Sequence, residues 1–199
     1  MKRRFLFSGL LAVSLLLSAA PHSIAAQDPG AFINQLGTQG IQVLGPSVPP
    51  AQRAAVFRQL FQADFDVNGI SQFVLGRHWR ALTPPQQQEF LSLFQEYTVQ
   101  AYANRLGQYG GAPFRVTGVR PMGDEVVVTS EVVRQGGNPV RLDWHVTDQG
   151  GQYKITDVHV DGVSMKVTQR DEFASIIQRN NGRPDSILSV MRQQSAQAH

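Results

Sequence analysis

The chain changes its apolar period between Gly111 and Phe114, and this change constrains the fold more than any other feature. Upstream, apolar residues recur at the three- and four-residue intervals of amphipathic helices. Downstream they follow the spacing of strands, in short runs divided by turn residues. A run of helices followed by a run of strands predicts an α+β fold. Helices from both ends pack on one curved antiparallel sheet, as in NTF2-like and cystatin-like folds.

The local signals agree with that division. Asp28-Pro29-Gly30 reads as a cap with proline at the first helical position, followed by a stripe of Phe32, Ile33, Leu36, Val43 and Leu44 that Gly37 and Gly40 interrupt. After the Gly45–Pro50 turn, Val56, Phe57, Leu60 and Phe61 mark a second helix. Asp66 caps a third that turns Val67, Ile70, Phe73 and Val74 inward and ends near Gly76. Thr83-Pro84-Pro85-Gln86 is a capping-box start for a long helix with Phe90, Leu93, Phe94, Tyr97, Ala101 and Leu106 on one face, stopped at Tyr109-Gly110-Gly111.

Strands are predicted over 114–119, 126–133, 140–147, 153–160 and 163–168, joined by short turns into an antiparallel meander. In the fourth, Tyr153 and Ile155 have one parity and Val158 and Val160 the other. Both faces are therefore partly covered, with or without a bulge near Thr156-Asp157. Phe173, Ile176 and Ile177 mark a short helix stopped by Asn181-Gly182. Pro184 opens a last one, with Val190 and Met191 exposed on it for docking and a Gln- and Ala-rich end that frays after Arg192.

Residues 1–26 read as a signal peptide: Lys2, Arg3 and Arg4, an apolar stretch from Phe5 to Leu17 too short to span a bilayer, then small residues with cleavage after Ala25 or Ala26. Residues 27–195 are left as one domain. The 18 Lys and Arg less those three equal the 15 Asp and Glu, so the exported chain is neutral and lacks the basic surface a nucleic acid needs. There is no cysteine, which closes disulfide, thiol and Cys-metal chemistry and leaves stability to the apolar core.

Signatures of catalysis are weak. His78, His145, His159 and His199 show no ligand spacing, and no serine sits in a nucleophile elbow. Asp143 and Asp157 could face each other across adjacent strands as an acid–base pair, but with His145 they lie opposite the Trp144 face and are expected to point to solvent. No metal or covalent cofactor is implied.

Three blocks carry a family resemblance. They are Phe73-Val74-Leu75-Gly76-Arg77-His78-Trp79-Arg80 followed by Thr83 and Phe90; the stretch from Tyr97 to Gly110; and Trp144, Tyr153–Val158, Asp161–Ser164 and Arg170–Phe173. In order and spacing they resemble the MlaC family, periplasmic phospholipid-binding proteins also called toluene-tolerance proteins. The resemblance implies a soluble shuttle, not an enzyme. It would hold lipid tails in an apolar cavity between helices and sheet and pass lipid between an inner-membrane transporter complex and an outer-membrane lipoprotein complex. A branch of the family accompanies hopanoid biosynthesis, so a hopanoid-type lipid is a second ligand class.

Such a cavity would be lined by Phe94, Tyr97, Ala101, Leu106, Trp144, Val146, Ile155, Val163 and Met165, with Trp79 as a packing anchor. Arg77, Arg80 and Arg105 are surface or structural charges, any of which could sit near a phosphate at the cavity mouth. A monomer is expected. Two other classes remain: an NTF2-like enzyme acting on an apolar substrate in the same cavity, and an interaction module whose core is solid.

Overall fold

The computed structural model describes residues 28–43, 45, 47–133 and 137–197. The expected signal peptide, Leu44 and the Gly136 end of one predicted turn lie outside the described residues. Helix α1 covers Pro29–Val43, α2 Pro50–Asp64, α3 Val67–Leu75 and α4 Pro84–Leu106. Their starts are set by the residues that signalled them. Asp28 Oδ1 accepts from the Ala31 N–H at 3.0 Å, and Asp66 Oδ1 from the Gly69 N–H at 2.9 Å. Gln86 Oε1 accepts from the Thr83 N–H at 2.9 Å and from the Thr83 hydroxyl at 3.1 Å. Gly76, at φ 53°, ends α3 and lets the chain tighten into a 3-10 turn over Gly76–Ala81. That turn places Trp79 edge-on to Phe90, ring centres 6.3 Å apart, the packing role expected of it.

Five antiparallel strands follow in spatial order β1-β2-β3-β4-β5: Phe114–Met122, Glu125–Val133, Pro139–Asp148, Tyr153–Val160 and Val163–Ser164. Helices α5 (Met165–Arg179) and α6 (Ser186–Gln197) close the chain. The order of helices, meander and returning helices is the α+β architecture expected.

Some details differ from expectation. The last strand does not run to Thr168: it stops at Ser164, whose Oγ accepts from the Val167 N–H at 3.1 Å and caps α5, so Met165 lies on a helix. A hydroxyl cap and the Asp157 carboxylate, which takes the Lys166 N–H at 3.0 Å, outweigh the β propensity of Val167 and Thr168. Helix α6 continues to Gln197 past the predicted fraying point; Arg192 is paired with Glu89 of α4, and Met191, expected to be exposed, is 1 % accessible in the helical core, with Val190 packed against it.

Strands β3 and β4 show the bulge that the sequence left open near Thr156-Asp157, and they correct the reading of the acidic residues. Their register shifts between His145 and Val146: Val146 faces Ile155 and His145 faces Asp157, so Thr156 is the extra residue of a bulge. The bulge reverses the parity of β4. Ile155 therefore stays inward on one side of it and Val158 and Val160 stay inward on the other. The register also places Asp143 across from His159, not across from Asp157. Nor do Asp143, His145 and Asp157 point into solvent. All three are buried among one another's partners on the outer sheet face. Thr129 donates to Asp143 at 2.6 Å, His145 Nδ1 lies 2.9 Å from Glu125, and the His145 and His159 rings are 4.4 Å apart. Strand parity gives the face, not the exposure, and long polar side chains on a central strand can cover each other.

The apolar residues form two cores. One lies wholly among α2–α6, around Phe90, Phe94 and Phe173; the last stands edge-on to both others, at 5.9 and 6.2 Å. The second joins Ile33 and Leu36 of α1 to Val128, Val146 and Ile155 on the inner sheet face.

Candidate functional site

Where these two cores meet they do not close. A cavity of about 310 Å³ remains between them. Its helical wall is built by Leu36 and Ile41 of α1, Phe57, Leu60 and Phe61 of α2, and Ile70 and Val74 of α3, with Phe94 and Tyr102 of α4 behind. The sheet wall is Phe114, Val132, Val140, Leu142 and Trp144, with Val158 and Val160 of β4. Aromatic rings keep the walls apart: Phe57 and Phe61 stack at 6.1 Å on one side, and Phe114 and Trp144 meet edge-on at 6.4 Å on the other. Rigid rings cannot fold into a void as flexible aliphatic chains can, so the hollow persists.

Two local features hold the sheet wall. The Trp144 Nε1–H donates to Ser130 Oγ at 2.8 Å, which satisfies both buried groups and fixes the indole plane. Gly37, a weak point in the predicted α1 stripe, lies so close to Phe114 that a Cβ there would sit 2.3 Å from the ring. The glycine allows α1 and the ring to share that space.

Of the residues expected to line a cavity, the structure brings together Phe94, Trp144 and Met165. Val146 and Ile155 are fully buried in the α1–sheet core beneath it. Tyr97 turns to α5, with its ring 5.6 Å from Phe173 and its hydroxyl donating to Glu172 at 3.0 Å. Ala101 is off the cavity wall, and Val163 is 55 % exposed on the short β5. The Leu106 side chain lies outside the described residues. Sequence reasoning missed the lining from α1 and α2. Leu60 and Phe61 were read as an amphipathic stripe, and nothing in a stripe says whether a neighbour or a void faces it.

The wall carries few polar groups. Burial pushes the Tyr102 phenol up, so it stays neutral at physiological pH. Asp157 reaches the wall, but its oxygens are committed to the Val158 and Lys166 N–H groups, the Ser164 hydroxyl and His159. Arg77, Arg80 and Arg105 do not line the cavity; Arg105 lies 5.9 Å over the Tyr102 ring. Among the described residues no three His, Asp or Glu side chains are placed to hold a metal, and no helix is long and apolar enough to cross a membrane. The arrangement can take up a long apolar ligand, and the one carboxylate on the wall among the described residues, Asp157, is held by structural bonds.

Comparison with known proteins gives the same picture from another direction. The toluene tolerance protein ttg2D of Pseudomonas putida is 28 % identical over 163 residues, 81 % of this chain and 66 % of that protein. The intermembrane phospholipid transport system binding protein MlaC of Haemophilus influenzae is 23 % identical over 129 residues, 62 % of this chain and 59 % of that protein. The matches thus span somewhat less than two thirds of either relative. A phospholipid-binding protein from Ralstonia solanacearum, solved in complex with a phospholipid, has the same fold, with a TM-score of 0.72 at 24 % identity over 86 % of this chain and 98 % of that one. The family model described as MlaC protein matches residues 45–193, which takes in α2 to α5, the whole sheet and the first two thirds of α6. The chain belongs to the MlaC family.

Proposed function

We propose that this chain is a periplasmic carrier of phospholipid, a single lipid-binding unit over residues 27–195 once a leader is removed. It would pass its cargo between the inner and outer membranes by docking in turn on an inner-membrane transporter complex and an outer-membrane lipoprotein complex. The observation that carries the reading is the cavity of about 310 Å³ held open by aromatic rings between two otherwise well-packed cores. Burying a methylene releases about 0.8 kcal/mol, so a 16-carbon tail has a large drive into such a space without any polar grip. The phospholipid bound by the Ralstonia solanacearum neighbour and the transport system named for the Haemophilus influenzae relative support this ligand class.

Binding without catalysis fits the polar groups. The carboxylates weighed as an acid–base pair are spent on structural bonds: Asp143 on Thr129 and Arg141, Asp157 on α5. The decisive experiment is denaturing extraction of the purified protein followed by lipid mass spectrometry. Phospholipid near one molecule per chain is the expected result. A hopanoid in its place would change the cargo but keep the carrier, and an extract free of lipid would remove the carrier reading.

A further inference from the structure

Apart from the Tyr102 and Tyr109 phenols, the polar side chains on the cavity wall are Thr98 of α4, Asp157 of β4, and Lys166 and Gln169 in the first turns of α5. Most polar side chains there are already engaged. The Thr98 hydroxyl donates to the Phe94 carbonyl at 2.8 Å, and Gln169 Nε2 donates to Glu172 at 3.0 Å. Asp157 is committed on both oxygens, one of them to the backbone N–H of Lys166. The Lys166 side chain differs. Among the described residues it is the one cation on the cavity wall, and its ammonium has no hydrogen bond and no carboxylate within ion-pair distance. Nζ lies 4.9 Å from the centre of the Phe73 ring. One helical turn on, the Arg170 guanidinium lies 5.5 Å from the same ring, while also pairing with Asp171 at 3.0 Å. Glu125 feels Lys166 only through space, and its own bonds go to His145 and Thr156.

A cation over an aromatic face is attracted to the ring and gives up part of its water there. A lysine on an apolar wall can lay its alkyl stem along that wall and carry its head to the edge. That geometry suits an amphiphile with a hydrocarbon tail and an oxyanion head. We propose that Lys166, flanked by Arg170, is the headgroup anchor of the cavity and binds a phosphodiester oxygen of the lipid whose tail the cavity holds. The proposal rests on the carrier reading above. It adds a preference for anionic phosphate heads that the apolar walls cannot supply. A fatty-acid carboxylate offers the same oxyanion, so the test separates the two.

Delipidated full-length protein is titrated, in displacement of a fluorescent acyl probe, with dioleoyl phosphatidylglycerol, dioleoylglycerol, oleate and inorganic phosphate. A charge-assisted hydrogen bond predicts that the phosphodiester lipid binds about tenfold more tightly than the tail-matched neutral one. Lys166→Gln should erase that gap by weakening phosphatidylglycerol alone, and Lys166→Arg should keep it, which also guards against a folding defect. Inorganic phosphate should displace nothing, since it has no tail. Equal affinities for phosphatidylglycerol and dioleoylglycerol in the unaltered protein would overturn the anchor while leaving the carrier intact. So would a Lys166→Gln variant that weakens both equally, or one that weakens only oleate. Failure of every tailed ligand to bind the unaltered protein would instead sink the carrier reading.

Discussion

Emptying the cavity should lower the stability of the protein, and the structure sets the scale. Cavities left in protein interiors cost about 24 cal/mol per Å³. Applied to about 310 Å³, that scaling gives an upper bound of about 7 kcal/mol between a dry, empty cavity and one filled with hydrocarbon. For a chain of this length each kcal/mol moves Tm by about 2–4 °C, so the bound corresponds to roughly 15–30 °C. Some of it is recovered by inward movement of α2, whose Phe57, Leu60 and Phe61 face the hollow. The stacked rings resist full collapse, so a drop of about 10 °C or more is expected. Differential scanning calorimetry would compare protein as purified, protein stripped of lipid and checked by mass spectrometry, and the same sample reloaded with phospholipid. The expected order is high, low, high. Stripped and loaded samples that melt within a degree or two of each other would refute the reasoning, because the cavity would then be filled by collapse or by water at no cost.

Further outcomes follow from individual residues. Gly37→Ala would ordinarily stabilise a helix by up to about 1 kcal/mol, but the new Cβ would meet the Phe114 ring at 2.3 Å, so the ring must swing towards the cavity; the expected result is less retained lipid per chain, and unchanged lipid content would show that the ring has another escape. Trp144 lines the cavity and Trp79 does not, so brominated acyl chains should quench the fluorescence of Trp79→Phe protein and leave Trp144→Phe protein bright; the reverse pattern would misplace the ligand. Burial resists ionisation of Glu125 and Asp143, yet hydrogen bonds from His145 and Thr156 to the first, and from Thr129 and Arg141 to the second, hold both carboxyls below their ordinary range. Their contribution is therefore complete above the unfolded carboxylate values near pH 4 and is lost as pH falls through that range towards the folded values. Urea midpoints should fall with acid in the unaltered protein and fall less steeply in Asp143→Asn, and parallel slopes would remove Asp143 from the account.

Much of the fold was legible because the chain's punctuation is local. Asp28, Asp66, Thr83 and Gly76 act within a few residues of themselves, and each starts or stops a helix where its chemistry predicts. The strand end at Ser164 was not legible in the same way. Val163 to Thr168 has a strand's composition, and the Ser164 cap on the Val167 N–H turns it into a helix together with the Asp157 carboxylate, nine residues back on β4, which takes the Lys166 N–H. A local reading has no access to that partner. The outer sheet face fails for a related reason: alternation places Asp143 and His145 on the side opposite Trp144, but their burial depends on Glu125, Thr129 and His159 from neighbouring strands.

The cavity lies one step further from the sequence, because it is a mismatch between two packings and not a property of either. Val146 and Ile155 share an inner face with Trp144 and Val158, and all four are apolar. The first two are covered by Ile33 and Leu36 of α1, while the second two face the gap where α1 gives way to α2. No periodicity within β3 or β4 separates covered from uncovered positions. What separates them is where the covering helix ends, at Val43, and how far the ring pairs Phe57–Phe61 and Phe114–Trp144 hold the layers apart. The same helices that complete one core thus leave the other open, and the size of the hollow is governed by where α1 ends and by four rings on its own wall.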